Sequence, residues 1–122
     1  MTDTELDKIV YFLLLYGHQV SDEDALRYIV TKHEEYSTHE IIWKDNEVIG
    51  YTRYNVDGQV GTIIDAVVRP DYRFKRILQL MVITGLKKWY NVSKLKFERG
   101  WKNKDRGFRT YNISDFLGIK NG

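Results

Sequence analysis

The chain has 122 residues, of which 43% are hydrophobic and 30% charged, a composition typical of a soluble globular protein with one core. It contains no cysteine, which excludes disulfide scaffolds, thiol catalysis and thiolate zinc sites. The net charge of +2 conceals an asymmetry between residues 1–40 (three basic and nine acidic, 3 − 9 = −6) and residues 73–109 (twelve basic and two acidic, 12 − 2 = +10). The basic part can contact phosphates of a cofactor or nucleic acid, or the two parts can simply offset each other as solvated surfaces.

Two amphipathic helices are predicted at the start of the chain. Thr2 and Glu5 have the spacing of a capping box, and Ser21 has the same spacing to an acidic residue at the start of the second helix. The second helix is expected to pack on a sheet through Ala25 and Ile29. The apolar stripe of the first helix consists of Leu6, Ile9, Val10, Leu13 and Leu14.

From residue 39 onwards the pattern is that of strands. The segments "HEIIWKD" and "EVIGYTRYNV" are separated by a turn at Asn46, and the second ends at "VDGQVG", which predicts a hairpin or meander. The segment "TIIDAVV" predicts a strand buried on both faces, ended by Pro70.

The rest of the chain predicts a helix and two more strands. Residues 73–90 have a helical pattern, and "KLKFERGW" and "FRTYNI" alternate as strands do. One side of the helix carries Ile77, Leu80, Met81 and Thr84. The order ααβββαββ predicts a single α+β domain over residues 1–122, a mixed β-sheet flanked by helices.

The segment "IIDAVVRPDYRFKRILQLMVITGLKKW", with the strands around it, resembles the central part of the GNAT superfamily of acyl-CoA-dependent N-acyltransferases, over roughly residues 40–101. In that family a strand ending V-x-P-x-Y-R pairs with the pantetheine arm, and the turn that follows binds the coenzyme A pyrophosphate through backbone amides. The resemblance therefore implies acetyl-CoA or another acyl-CoA as substrate, and an unidentified amine as acceptor. The residues implied to bind the acyl-CoA are Val67, Val68, Arg69, Arg73, Phe74, Lys75, Arg76, Ile77 and Leu78.

Two positions of the phosphate-binding turn depart from the family pattern. Arg76 and Leu78 stand where the family has glycines, which let phosphate oxygens approach the backbone closely. The guanidinium of Arg76 can replace part of that contact by meeting a phosphate directly.

The positions of the family's catalytic residues also differ. Thr62 stands eleven residues before Arg73, where many members have a glutamate that acts as general base. Asp65 is the candidate carboxylate in the strand, and in a regular strand it would face away from Thr62. Asn103 stands where members have an acid tyrosine, four residues before Gly107 and Phe108, and Tyr111 is the candidate in its place.

The alternative is a catalytically inactive GNAT-like fold that serves as an interaction or assembly module, as in small phage-type proteins. A nucleic-acid surface at residues 94–109, where aromatic and basic residues are interleaved, is a second alternative, although their alternation favours aromatics that face the core.

Other chemistries are not indicated. His18, His33 and His39 lack the spacing of metal ligands on one helix face, so they are expected in surface or loop positions and no metal site is predicted. No apolar run reaches the roughly 18 residues of a membrane span. The acidic start "MTDTELDKIV" is unlike a secretion signal, which leads us to expect a cytoplasmic protein.

Overall fold

A computed structural model describes residues 1–17, 20–73, 80–81, 92–98 and 108–112 of the chain. Helix α1 spans Asp3–Tyr16, and its predicted capping box is confirmed. The Thr2 hydroxyl accepts from the Glu5 N–H at 3.1 Å, and the Thr2 N–H donates to the Glu5 carboxylate at 3.0 Å. Leu14, predicted for the apolar stripe, is 37% exposed. The buried side chains of α1 are Ile9, Val10, Phe12 and Leu13.

Helix α2 spans Glu23–Glu35 and is capped by Asp22 rather than by Ser21. The Asp22 carboxylate accepts hydrogen bonds from the main-chain N–H groups of Asp24 and Ala25, at 2.9 and 3.2 Å. An anion is favoured at this position because the free N–H groups and the helix dipole are both positive there.

The buried side of α2 lies one residue away from its predicted position. Leu26 and Val30 are buried, whereas Ala25 and Ile29 are half-buried. Both pairs have the same spacing, so the periodicity is right and the helix is rotated by about 100° from the expected orientation.

In the described part of the chain, five strands form one mixed sheet in the order β1-β2-β3-β4-β5. The first three strands form an antiparallel meander, β4 is parallel to β3, and β5 is antiparallel to β4. The strands are β1 His39–Lys44, β2 Glu47–Asp57, β3 Val60–Val68, β4 Lys94–Glu98 and β5 Phe108–Asn112. The parallel pair requires a crossover connection, which residues 69–93 supply. The predicted α+β class with a mixed sheet is confirmed.

The two predicted turns of the meander are tight. Asp45 and Asn46 both have positive φ (52° and 64°), which is the geometry of a type I′ hairpin turn. Gly58, in the second turn, has φ 59°, a conformation that glycine adopts without steric cost.

The sheet is covered differently on its two faces. On one face, Tyr51 and Val67 pack against α1 and α2 in the main core. On the other, Ile49 packs against Met81. Because Ala66 is exposed, the expectation that β3 is buried throughout on both faces was wrong.

The helix predicted after β3 is described only in part. Pro70–Tyr72 forms a 3-10 helix, and Leu80 and Met81 are helical. Met81 is fully buried, but Leu80 is 44% exposed, so Leu80 does not belong to the buried side as predicted. The remainder of the predicted helix lies outside the described residues. Within the described part of the chain, no helix is long and apolar enough to cross a membrane.

Candidate active site

A β-bulge interrupts the middle of β3. Arg53 of β2 is opposite Asp65, and the next residue, Tyr54, is opposite Ile63. Ile64 is therefore an extra residue in the ladder. Such a bulge changes which face the side chains on either side of it occupy.

Asp65 and Thr62 consequently lie on the same face of the sheet. Their partners on β2, Arg53 and Asn55, are two residues apart, and cross-strand partners share a face. The prediction that Asp65 faces away from Thr62 was wrong, because it assumed a regular strand. The face in question is the one that α1 and α2 cover in part, since Tyr51 lies on it too.

Asp65 forms an ion pair with Arg53 at the edge of the buried region. The distance from Nη2 of Arg53 to Oδ2 of Asp65 is 3.1 Å, and the side chains are 7% and 14% exposed respectively. The main-chain oxygen of Asp65 also accepts from the Thr52 hydroxyl at 2.8 Å. Hydrogen bonds thus hold both the main chain and the side chain of Asp65, and its carboxylate is more exposed than the Arg53 side chain.

His39 is buried, contrary to the expectation of a surface or loop residue. Its Nε2 lies 2.7 Å from the Glu34 carboxylate and its Nδ1 lies 3.1 Å from the hydroxyl of Tyr51. Burial raises the pKa of Tyr51, so the phenol stays protonated. A buried histidine is tolerated here because both ring nitrogens have hydrogen-bond partners.

His33 is half-buried near the end of α2, again unlike the surface position expected for it. Its Nδ1 lies 2.7 Å from the hydroxyl of Thr38 and 3.1 Å from the Thr38 main-chain oxygen. Burial is the main cause of a lowered pKa for His33, and the positive charge of Arg53 lowers the pKa further. His18 lies outside the described residues.

The turn after β3 is stabilised by its own charges. Arg69 donates to the carboxylate of Asp71 at 2.7 and 2.8 Å and to that of Glu47 at 3.1 Å, and it stacks 5.0 Å from the Tyr72 ring centroid. The hydrogen bonds to Asp71 raise the pKa of Arg69. Arg73, four residues on, is exposed at the end of the turn. Of these two arginines, Arg73 is therefore the one better able to contact a phosphate.

The remaining predicted site residues are only partly described. Val67 is buried and Val68 half-buried in β3. Tyr111 lies in β5 opposite Leu95, which is opposite Gly61 of β3, and its side chain lies outside the described part. The register does not bring Tyr111 beside Asp65. Outside the described residues are Phe74, Lys75, Arg76, Ile77, Leu78, Asn103 and Gly107.

Among the described residues, β4 pairs with only part of β3. This parallel ladder joins Val60–Ile63 to Lys94–Phe97. β3 continues to Val68, still paired with β2 on its other side. Among the described residues, the ladder with β4 is not continued over residues 66–68.

The sequence analysis missed the partners of Asp65 and His39. Glu34, Tyr51 and Arg53 were not identified as site residues. The first two contact His39, and Arg53 contacts Asp65. A signal was present in "EVIGYTRYNV", where Tyr51 and Arg53 stand two residues apart on one face of a strand. An arginine at such a position predicts a buried partner of opposite charge.

Residues 5–90 match the model of the acetyltransferase (GNAT) family. No protein of curated function matches the sequence.

Solved structures share the fold. An aminoglycoside 6′-N-acetyltransferase from Acinetobacter haemolyticus is 10% identical with a TM-score of 0.66, over 99% of this chain and 88% of that chain. Diaminobutyrate acetyltransferase from Paenibacillus lautus, solved with L-2,4-diaminobutyric acid and coenzyme A, is 12% identical with a TM-score of 0.65, over 94% and 68% of the two chains. A GNAT family N-acetyltransferase from Escherichia coli, solved with coenzyme A, is 14% identical with a TM-score of 0.60, over 96% and 81%.

Proposed function

Because this chain belongs to the GNAT family of acetyltransferases, we propose that it binds an acyl-CoA beside β3 and transfers the acyl group to an amine. The observation that supports the proposal is that β3 extends to Val68, whereas its pairing with β4, among the described residues, covers only Val60–Ile63. An extended strand edge can pair with the amide groups of a pantetheine arm as it would pair with another strand. Coenzyme A in two of the similar structures supports this assignment by analogy.

The pyrophosphate of the acyl-CoA is assigned to the turn that follows β3. Arg73 is exposed there, directly after the 3-10 helix Pro70–Tyr72. Arg69 has a different role, since its guanidinium already binds Asp71 and Glu47 and stiffens the turn. Lys75 and Arg76 would add positive charge, an assignment that depends on the sequence alone.

Asp65 is proposed as the group that accepts the proton of the acceptor amine. An ammonium cannot attack a thioester, so one N–H proton must pass to a base, here the Asp65 carboxylate. The neutral amine nitrogen then forms a bond to the acyl carbon, the carbon–sulfur bond breaks with its electron pair leaving on sulfur, and a second N–H proton passes from the nitrogen to the thiolate to give the free thiol. Arg53 holds the Asp65 carboxylate in place through the ion pair at 3.1 Å.

Calorimetry with acetyl-CoA at low salt tests the binding step. We expect a Kd in the micromolar range, roughly −8 kcal/mol at best, that weakens as salt is added. Arg73→Ala should weaken binding by about tenfold. Arg27→Ala is the matched control: it also removes one positive charge, but Arg27 binds Asp7 and Glu23 on the helices.

Thiol release from acetyl-CoA in the presence of a panel of amines tests the transfer step. Turnover that depends on both substrates and is lost in Asp65→Asn would support the assignment. If the wild type gives no binding heat and no thiol release with any amine, the proposal fails and the inactive GNAT-like module becomes the better hypothesis.

A further inference from the structure

An open cleft lies between the first helix and the β1–β2 hairpin. This hairpin cleft is lined by α1 residues within 8–16, by residues 45–48 and by Arg69. Its volume is about 440 Å³, within the range of about 300–1,000 Å³ that is usual for small-molecule sites. The ammonium group of Lys8 donates to the main-chain oxygen of Asn46 at 2.7 Å, so a hydrogen bond ties the helix side of the cleft to the hairpin side.

The inner surface of the hairpin cleft is apolar and aromatic. Phe12 and Val48 lie at its base, at 4% and 5% exposure, and the ring centroids of Phe12 and Tyr16 are 5.3 Å apart. Tyr11 and Leu15, one helical turn apart on α1, are exposed at its wall. Exposed apolar side chains beside a cleft favour a binding site, because a ligand that covers them removes apolar area from water. The ligand should therefore contain an aromatic or aliphatic body.

Four charged side chains also line the hairpin cleft, and two of them are paired with each other. Arg69 donates to the Glu47 carboxylate at 3.1 Å. Lys8 and Asp45, by contrast, form no ion pair with each other or with any other charged group in the described part of the chain. The Lys8 ammonium uses one of its three N–H donors on Asn46, which leaves two for a ligand.

The opposite signs of these two charges determine the kind of ligand. A simple cation would be attracted by Asp45 but repelled by Lys8, and a simple anion would meet the reverse. A ligand with one ammonium and one carboxylate group has an oppositely charged partner for each. An α-amino acid carries both groups on one carbon atom, and its side chain supplies the apolar body.

The hairpin cleft is separate from the proposed acyl-transfer site. Asp65 is opposite Arg53, which is six residues from Glu47 along β2 (53 − 47 = 6), or roughly 20 Å in an extended strand. The cleft also lies on the β2 side of β3, since the Arg69 N–H donates to the main-chain oxygen of Ile49 at 2.9 Å. The acyl-CoA is proposed to pair with the other edge of β3. An amino acid in the cleft is therefore not placed as the acceptor amine, and both sites can be filled at once.

We propose that the hairpin cleft binds a free α-amino acid with an aromatic or large aliphatic side chain. Lys8 binds the carboxylate of the ligand and Asp45 binds its ammonium group, while Tyr11 and Phe12 pack against its side chain. All the charged groups are already ionised at neutral pH, so no covalent bond is formed or broken. The site does not depend on the acyl transfer proposed above.

Three ligands that share a phenyl ring test the charge assignment. L-Phenylalanine has both charged groups, 2-phenylethylamine lacks the carboxylate and 3-phenylpropionate lacks the ammonium group. Titration of the 15N-labelled protein at neutral pH and low salt, followed by 1H–15N NMR, gives the Kd and the location of each ligand. Phenylalanine should bind with a Kd of about 1 mM or less, and about fivefold more tightly than either analogue. The amide signals of Tyr11 and Asn46 should shift, and that of Asp65 should not.

Two charge variants assign each group of the ligand to its partner. Lys8→Met should weaken phenylalanine about fivefold and should not weaken 2-phenylethylamine, which has no carboxylate to lose. Asp45→Asn should weaken phenylalanine similarly and should not weaken 3-phenylpropionate, and asparagine tolerates the positive φ of this position. Lys32→Met and Asp57→Asn are the matched controls. They remove the same charges from exposed positions outside the cleft and should leave all three Kd values unchanged.

A pair of tyrosine variants tests the apolar wall. Tyr11 in α1 and Tyr28 in α2 are both 65% exposed, but only Tyr11 lines the hairpin cleft. Tyr11→Ser should weaken all three ligands by about threefold or more, because each ligand packs its ring there. Tyr28→Ser should weaken none of them.

Several results would overturn the proposal. They are a phenylalanine Kd above about 10 mM, binding no tighter than that of the analogues, or equal weakening by a variant and its matched control. Saturating acetyl-CoA should leave phenylalanine bound, and displacement would overturn the proposal because the cleft would then belong to the acyl-CoA site. A protein that binds phenylalanine but neither binds acetyl-CoA nor transfers acyl groups would contradict the proposed function alone. A protein that transfers acyl groups but does not bind phenylalanine would contradict this inference alone.

Discussion

Asp65→Asn should destabilise the protein strongly, because it removes the carboxylate opposite a buried guanidinium. The Arg53 side chain is 7% exposed, so its guanidinium is largely desolvated. Removing one partner of a buried pair typically costs about 3–5 kcal/mol. The Asp65 side chain is 14% exposed, so water can reach the site in the variant. We therefore expect the free energy of unfolding to fall by about 2–4 kcal/mol.

A double-mutant cycle measures the pair itself. Arg53→Met keeps most of the apolar stem and removes the charge, and the double variant Arg53→Met/Asp65→Asn should recover at least about 1 kcal/mol relative to the sum of the single changes. Urea denaturation at pH 7, followed by tryptophan fluorescence, gives the free energy of unfolding for all four proteins.

Lys32→Met provides the control for this cycle. Lys32 forms an exposed pair with Glu35 at 3.5 Å, so its loss should leave the free energy of unfolding almost unchanged. If Asp65→Asn costs no more than this control, or if the interaction energy is close to zero, the pair does not contribute as the buried geometry requires.

Three further changes probe the helices and the histidine near the site. Leu13→Ala should cost about 3 kcal/mol, because Leu13 is 2% exposed in the core. Leu15→Ala, at a position that is 54% exposed, should cost less than about 1 kcal/mol. Equal losses in urea denaturation would contradict the orientation of α1. Thr2→Ala should cost about 1 kcal/mol through loss of the capping box, with a lower thermal midpoint as the readout, and an unchanged midpoint would mean that the cap is not formed in solution. Burial and then Arg53 lower the pKa of His33, so the folded state binds fewer protons than the unfolded state below about pH 6.5. The contribution of neutral His33 to the free energy of unfolding is therefore complete above that pH and decreases as the pH falls. His33→Gln should flatten this part of the pH–stability curve.

The sequence by itself determined the features that depend on neighbouring residues. The capping box of Thr2 and Glu5, the tight turn at Asn46 and the end of β3 before Pro70 were all predictable, because each is decided by the conformational preferences of a few adjacent residues. The order of the two helices and five strands in the described part of the chain followed from periodicity for the same reason. The resemblance to the GNAT superfamily was likewise carried by a continuous run of residues around "VVRPDYR".

The site depended on contacts between residues far apart in the chain. Whether β3 carries a bulge at Ile64 is decided by its register with β2, and that one extra residue moved Asp65 onto the face of Thr62 and Arg53. The rotation of α2 by one residue was decided by how its side chains fit against α1 and the sheet, since Ile29 and Val30 are equally apolar. The burial of His39 required partners from α2 and β2 that nothing in its own segment specifies. Local preferences are similar for the alternatives in each case, so only the packing of distant segments could select between them.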